Sequence, residues 1–131
     1  MAVKAGSFTP SGTGNLSVDN IPFLPTRLFL RIGPTTSSVD TVKISRSDGW
    51  TTSSNQSYDS FFEDATGKYQ QAGTDKTLRL FQRNSGTGVV EDAVVCTFVD
   101  FHTNTPTNFG FTLNFPTNVG SKQIRWMADD A

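Results

Sequence analysis

Between Phe109 and Phe115 the chain alternates without a break. Phe109, Phe111, Leu113 and Phe115 are apolar, while Gly110, Thr112 and Asn114 between them are small or polar. Successive side chains of an extended strand point to opposite faces, so this pattern predicts a strand buried on one side. A turn-forming Pro116-Thr117-Asn118-Val119-Gly120 follows, and the alternation resumes with Ile124, Trp126 and Ala128. The two arms read as a closing β-hairpin whose apolar residues all face one way. A lone hairpin is marginal in water, so the remaining chain must cover that face.

The rest of the chain carries the same signature. Residues 3–8 and 16–18 read as short strands around a Gly-rich turn, 9–15. The Gly-x-Gly in that turn is not followed by a helix, whose N-terminus a phosphate cradle requires, so it reads as a turn alone. Pro22 and Pro25 make 21–25 an apolar linker. In 26–32, Leu28, Leu30 and Ile32 oppose Arg27, Phe29 and Arg31, and Gly33-Pro34 ends the strand. Residues 39–46 predict another, with Val42 and Ile44 inward and Thr41, Lys43 and Ser45 outward. In 77–83, Leu78, Leu80 and Gln82 oppose Arg79, Phe81 and Arg83. Residues 89–101 are apolar on both faces, as a central covered strand would be. Only 47–77 breaks the pattern, being polar with isolated aromatics. A structureless loop of that length is rare in a compact domain, so one or two short strands or a helical turn are expected, at 50–52 and 60–62.

About eight strands with no helical run predict an all-β fold, an antiparallel β-sandwich, with jelly-roll connectivity equally compatible. The 131 residues suffice for one domain, 1–128, followed by an acidic tail, 129–131, expected to be solvated. The net charge of -1 offers no electrostatic footprint for nucleic acid or for an anionic membrane. No apolar run is long enough to insert in a membrane, and residues 1–6 lack the apolar core of a signal peptide. Cys96 has no second cysteine to pair with and sits in an apolar run, so a buried thiol is expected.

Catalytic signals are thin. His102 is the only histidine, and Asp100 two residues away shares its strand face, but no nucleophile elbow accompanies them; a solvent-exposed residue at a strand end is the favoured reading. Glu63-Asp64 and Glu91-Asp92 are adjacent in sequence, so their carboxylates diverge on a strand instead of flanking a bond. One His and one Cys make no zinc site, and no calcium-loop motif occurs; neither a metal nor a cofactor is expected. Two sets of residues point to binding. Trp50, Tyr58 and Tyr69 lie in the polar 47–77 segment, where aromatic rings could stack on a sugar, although burial or a protein contact is favoured for them. Arg27 and Arg31 flank Phe29, and Arg79 and Arg83 flank Phe81. If the two strands share a sheet, one face carries four Arg and two Phe, a composition typical of protein interfaces. Pairing of each Arg with an acidic neighbour is weighed equally.

Certain stretches carry a resemblance across nearly the whole chain. They are Gly6-Ser7-Phe8-Thr9, Leu16-Ser17-Val18, Ile21-Pro22-Phe23-Leu24-Pro25-Thr26, Asp48-Gly49, Asp100-Phe101, Gly110-Phe111-Thr112-Leu113-Asn114 and Trp126-Met127-Ala128. In that order the chain resembles small β-sandwich modules of bacteriophage tail-fibre and other virion structural proteins. It departs from them in having Pro22 before Phe23, a Thr/Asn/Pro insert between Asp100 and Gly110, and Arg125-Trp126-Met127 near the end. The shared motifs specify a turn and a core strand and transfer no catalytic or ligand residue. The resemblance implies a non-enzymatic virion protein, made in the host cytoplasm without a signal peptide. Such a protein would decorate or cement a capsid, or form a small tail component, through contacts with other virion proteins and as a homo-oligomer. The alternative it implies is a receptor-binding, carbohydrate-recognition module of a tail fibre, with a cell-surface glycan as partner.

Overall fold

The computed structural model describes residues 1–36, 44–120 and 122–131, and of residues 34–36 the backbone alone. The described residues form ten strands and no helix. These are β1 (Val3–Phe8), β2 (Gly14–Ile21), β3 (Arg27–Thr36), β4 (Ile44–Thr52), β5 (Gln56–Glu63), β6 (Lys68–Gly73), β7 (Leu78–Arg83), β8 (Val90–Thr105), β9 (Asn108–Asn118) and β10 (Ile124–Asp129). They make two antiparallel sheets, one of six strands in the order β1-β10-β3-β4-β5-β6 and one of four in the order β2-β9-β8-β7. The expected all-β antiparallel sandwich is what forms. Runs β3–β6 and β7–β9 are meanders, a simpler connectivity than that of a jelly roll.

The two closing arms are strands with the predicted buried faces, but they are not a hairpin. β9 pairs with β2 and β8 in one sheet, and β10 pairs with β1 and β3 in the other. Their apolar faces therefore meet across the sandwich. The Phe111 and Trp126 rings pack edge to face with centroids 5.3 Å apart. Phe115, Leu113, Ile124 and Ala128 are fully buried around them, with Leu28, Leu30 and Ile32 of β3. Each such Leu, Ile or Phe contributes about 1.5–3 kcal/mol of burial. Alternation dictates which side of a strand is covered and leaves its partner open, so two apolar arms can cover each other instead of lying side by side.

Further corrections concern β3, β4, β7, β8 and the C-terminus. Gly33-Pro34 does not end β3, which continues to Thr36 past a register shift between Ile32 and Thr35. Val39, Thr41, Val42 and Lys43 lie outside the described residues. On β4 the predicted faces are reversed: Ser45 is buried and Ile44 only half-buried. In segment 47–77 the expected strand stretches 50–52 and 60–62 lie within β4 and β5, but both strands are longer than expected, and β6 is a third. On β7, Phe81 stays on the side of Arg79, whose guanidinium lies 5.1 Å from its ring centre, but it is only 3% exposed because Tyr69 of β6 packs against it there. β8 is central in its sheet, but full burial on both faces is confined to Ala93, Val94, Val95 and Cys96. Asp129 is not a solvated tail residue; it belongs to β10 and is 3% exposed against Arg27.

The inner face of β4 and β5 is polar because another strand's backbone lies on it. β7 is the edge of the four-stranded sheet, and an uncovered edge exposes unpaired N–H and C=O groups. Here serine hydroxyls satisfy them. The Arg79 N–H donates to Ser47 Oγ at 3.0 Å, Ser60 Oγ donates to the Arg79 carbonyl, and Ser45 Oγ donates to the Phe81 carbonyl at 2.6 Å. Gly49 lets the strands approach this closely, since a Cβ there would sit 1.5 Å from the Thr77 carbonyl oxygen. Bulky apolar residues at these positions would hold β7 away and leave its edge unsatisfied.

Candidate functional site on the outer face of the six-stranded sheet

Residues directly opposite on antiparallel strands share a face. On the outer face of the six-stranded sheet, Met127 of β10 lies opposite Phe29 of β3, Phe29 opposite Trp50 of β4, and Trp50 opposite Ser57 of β5. The first three make one apolar row across three strands, with Met127 41%, Phe29 37% and Trp50 41% exposed. Alternation along β3 and β10 put the core residues on the inner face, so the row is held by a rigid sheet. One row away, Arg125, Arg31, Asp48 and Asp59 lie opposite one another in succession. Arg31 Nε bonds Asp48 Oδ1 at 2.6 Å. On the other side, Arg27 holds Asp129 through Nε at 2.8 Å and Nη2 at 2.9 Å, with its guanidinium 5.8 Å from the centre of the Phe29 ring. A shallow depression of about 440 Å³ lies among Phe29, Arg31, Arg125 and Met127. An apolar centre with a charged, hydrogen-bonded rim has the anatomy of a protein-binding patch.

Sequence-predicted residues scatter relative to this face. Of the aromatic trio only Trp50 is on it. Tyr58 is 4% exposed on the inner face, its hydroxyl 3.3 Å from Arg79 Nη1. Tyr69 lies opposite Phe62 on the inner face of β6, packed edge-on against Phe81 with centroids 4.9 Å apart. The three rings therefore form no common platform. The four arginines do not share a face either, because β3 and β7 belong to different sheets. Each is paired with an aspartate instead: Arg27 with Asp129, Arg31 with Asp48, Arg79 with Asp92 at 2.7 Å and Arg83 with Asp64 at 2.6 Å. The Arg83 hydrogen bonds, helped by the amides of Thr66 and Gly67, hold the Asp64 carboxyl at about 2. The Arg27 guanidinium likewise lowers Asp129, and the hydrogen bond to Asp92 raises Arg79. Thus Arg27, Phe29 and Arg31 fall on the candidate face, whereas Arg79, Phe81 and Arg83 do not. Met127 and Arg125 were not singled out from the sequence. The available signal was a methionine standing on the outward side of an alternating strand.

His102 is not at a strand end but within β8, half-buried on the outer face of the four-stranded sheet. Its Nδ1 lies 2.9 Å from Asp100 Oδ1 and its Nε2 2.8 Å from Asp19 Oδ1, with Asn104 Nδ2 donating to the same Asp19 oxygen at 2.7 Å. The ring reaches Asp19 of β2 by passing over β9 at Gly110, where a Cβ would come within 2.8 Å of His102 Nε2. Partial burial disfavours the imidazolium, but hydrogen bonds to Asp19 and Asp100 outweigh this and raise the His102 pKa. Both ring nitrogens are occupied by carboxylates, and the nearest hydroxyl, Thr112 Oγ1, is 3.4 Å from Nδ1. The arrangement ties an edge strand to its sheet. Cys96 is fully buried, and burial pushes its thiol pKa far up. Among the described residues no group of three or more His, Cys, Asp or Glu could hold a metal ion.

Compared with protein-family models, with curated proteins and with solved structures, the chain matches none.

Proposed function

We propose that this chain is a non-enzymatic structural module of a phage-like virion, decorating a shell or joining a tail, and that it docks on a neighbouring virion subunit through the outer face of its six-stranded sheet. The observation that carries the docking reading is the Met127–Phe29–Trp50 row, three large apolar side chains in register on a face with no covering layer among the described residues. Large apolar groups gathered in this way on a surface mark interaction sites more often than chance exposure. The Arg27–Asp129 and Arg31–Asp48 pairs on either side supply a polar rim that is already satisfied internally. The occupant is therefore a protein surface with an apolar centre and little net charge. A standard interface buries about 800 Å² on each partner.

Support for the virion setting comes from the resemblance described above, whose strongest piece, Gly110-Phe111-Thr112-Leu113-Asn114, forms the core strand β9. The test is incorporation. The wild-type chain is expected in purified particles, and Phe29→Ser combined with Met127→Ser is expected to abolish its incorporation while leaving the unfolding midpoint nearly unchanged. Absence of the wild-type chain from particles would overturn the virion setting. Full incorporation of the double variant would overturn the docking face.

A further inference from the structure

We infer that β6 is a strap: its two ends are pinned, and its middle lifts off the Tyr58 and Phe81 rings while the rest of the sandwich stays folded. These rings lie between the sheets, away from the outer face that carries the Met127–Phe29–Trp50 row.

The first contrast behind this is between what β6 buries of itself and what it covers. None of its six side chains is fully buried, and Tyr69, its one aromatic, is 43% exposed. Yet Tyr58 and Phe81 beneath it are both buried. Tyr69 packs edge-on against Phe81 with ring centroids 4.9 Å apart. Gly73 lies opposite Tyr58, and a Cβ there would come within 2.7 Å of the Tyr58 ring, so the strand rests directly on it. A segment with few buried apolar contacts of its own and a solvent-facing ladder belongs to the low end of local stability.

The second contrast is between ends and middle. At the start, the Asp64 N–H donates to the Gly67 carbonyl at 3.0 Å, and Asp64 Oδ1 accepts the amides of Thr66 and Gly67 at 3.0 and 3.1 Å. Arg83 of β7 grips the same carboxylate through Nε at 2.6 Å and Nη2 at 3.0 Å. At the other end Thr77 is fully buried; its N–H donates to the Cys96 carbonyl at 2.9 Å and its hydroxyl to Gln56 Oε1 at 2.7 Å. Both anchors thus reach the four-stranded sheet, one by way of a charge-assisted pair of the strong kind. Between them, among the described residues, β6 pairs with β5 alone. The Tyr69 ring and one hydrogen bond, from Arg79 Nη1 to Gln71 Oε1 at 3.0 Å, hold its middle across to β7. Lifting strands no charge, because Arg79 keeps Asp92 at 2.7 and 3.4 Å. In the open form two aromatic rings and the edge of β5 meet solvent, so the strap sets when that strip is accessible.

The experiment is native-state hydrogen exchange of the full chain, followed by NMR at urea concentrations below the unfolding transition. Protected amides within residues 69–72 are expected to open at least about tenfold more often than the Thr77 amide and those of β9, with a much smaller urea dependence, as for an opening that exposes little surface. Ile124→Val shaves the main core, which the open strap leaves intact. It should speed exchange in β9 about fivefold, the effect of one lost methyl group, and leave residues 69–72 unchanged. Three results would overturn the inference: residues 69–72 and β9 sharing one rate and one urea slope, Thr77 opening together with residues 69–72 as in simple fraying of the edge, or Ile124→Val speeding both strands alike.

Discussion

The hydroxyl of Ser47 accepts the backbone N–H of Arg79 at 3.0 Å, joining the inner face of one sheet to the open edge of the other. Ser47 is fully buried, so no water stands ready to replace it. Ser47→Ala should therefore cost about 1–3 kcal/mol, the penalty of a buried unsatisfied donor. Urea unfolding with an unchanged m-value would measure it. Ser53→Ala, at an exposed position, should stay within about 0.5 kcal/mol. Equal effects of the two changes would refute the edge-capping role.

Gly49 presents a sharper case. A methyl group there would overlap the Thr77 carbonyl, and the obstacle is backbone on both sides. Gly49→Ala is expected to force β4 and β7 apart at a cost of about 3 kcal/mol or more. Thermal unfolding should show a large drop in Tm, accompanied by faster hydrogen exchange at Arg79. A Tm near wild type would mean the strands pack less closely than described.

The Asp64–Arg83 pair should make stability acid-sensitive. The folded carboxyl titrates at about 2 against an ordinary value of 3.8. A depressed folded pKa contributes stability that is fully present above about 3.8 and is lost as the pH falls toward about 2. Urea midpoints measured from pH 5 downward should fall in wild type, and Asp64→Asn should flatten part of that fall. An identical acid profile in the variant would count against the pair.

His102 acts with the opposite sign. Its folded pKa is raised, so its contribution is fully present below the unfolded value of 6.5 and is lost as the pH rises through the folded value above it. The doubly protonated ring can donate to Asp19 and Asp100 at once, whereas the neutral ring can donate to only one. Protection of β2 amides against hydrogen exchange should decline across that window, and His102→Gln should remove the pH dependence. The prediction fails if β2 protection is flat with pH in the wild type.

Much of the fold was legible where one apolar face alternates with one polar face. β1 and the apolar sides of β3 and β9 were placed correctly because their buried residues are large and regularly spaced. The reading failed on β4, where Ser45, Ser47, Gly49 and Thr51 line the inner face. Small polar residues there look like solvent-facing ones until the backbone of β7 is seen against them. It failed on Phe81 because the side of β7 that carries Arg79 and Phe81 is covered by Tyr69 of β6, and no single-strand period can announce a covering strand. For the candidate site, Phe29, Arg31 and Trp50 were visible as residues, but not as neighbours of Met127.

What the sequence determined by itself is the period of each strand: which side chains avoid water, and hence an all-β chain with one apolar core. That information is local, because side-chain alternation belongs to a single extended segment. The tertiary structure alone decided which strands became partners. It set β9 and β10 in opposite sheets so that Phe111 meets Trp126, and it set β3 and β7 apart so that four arginines found four separate aspartates. Strand pairing is settled by backbone hydrogen bonds and packing between residues far apart in the chain. Those depend on every other strand finding its place at the same time.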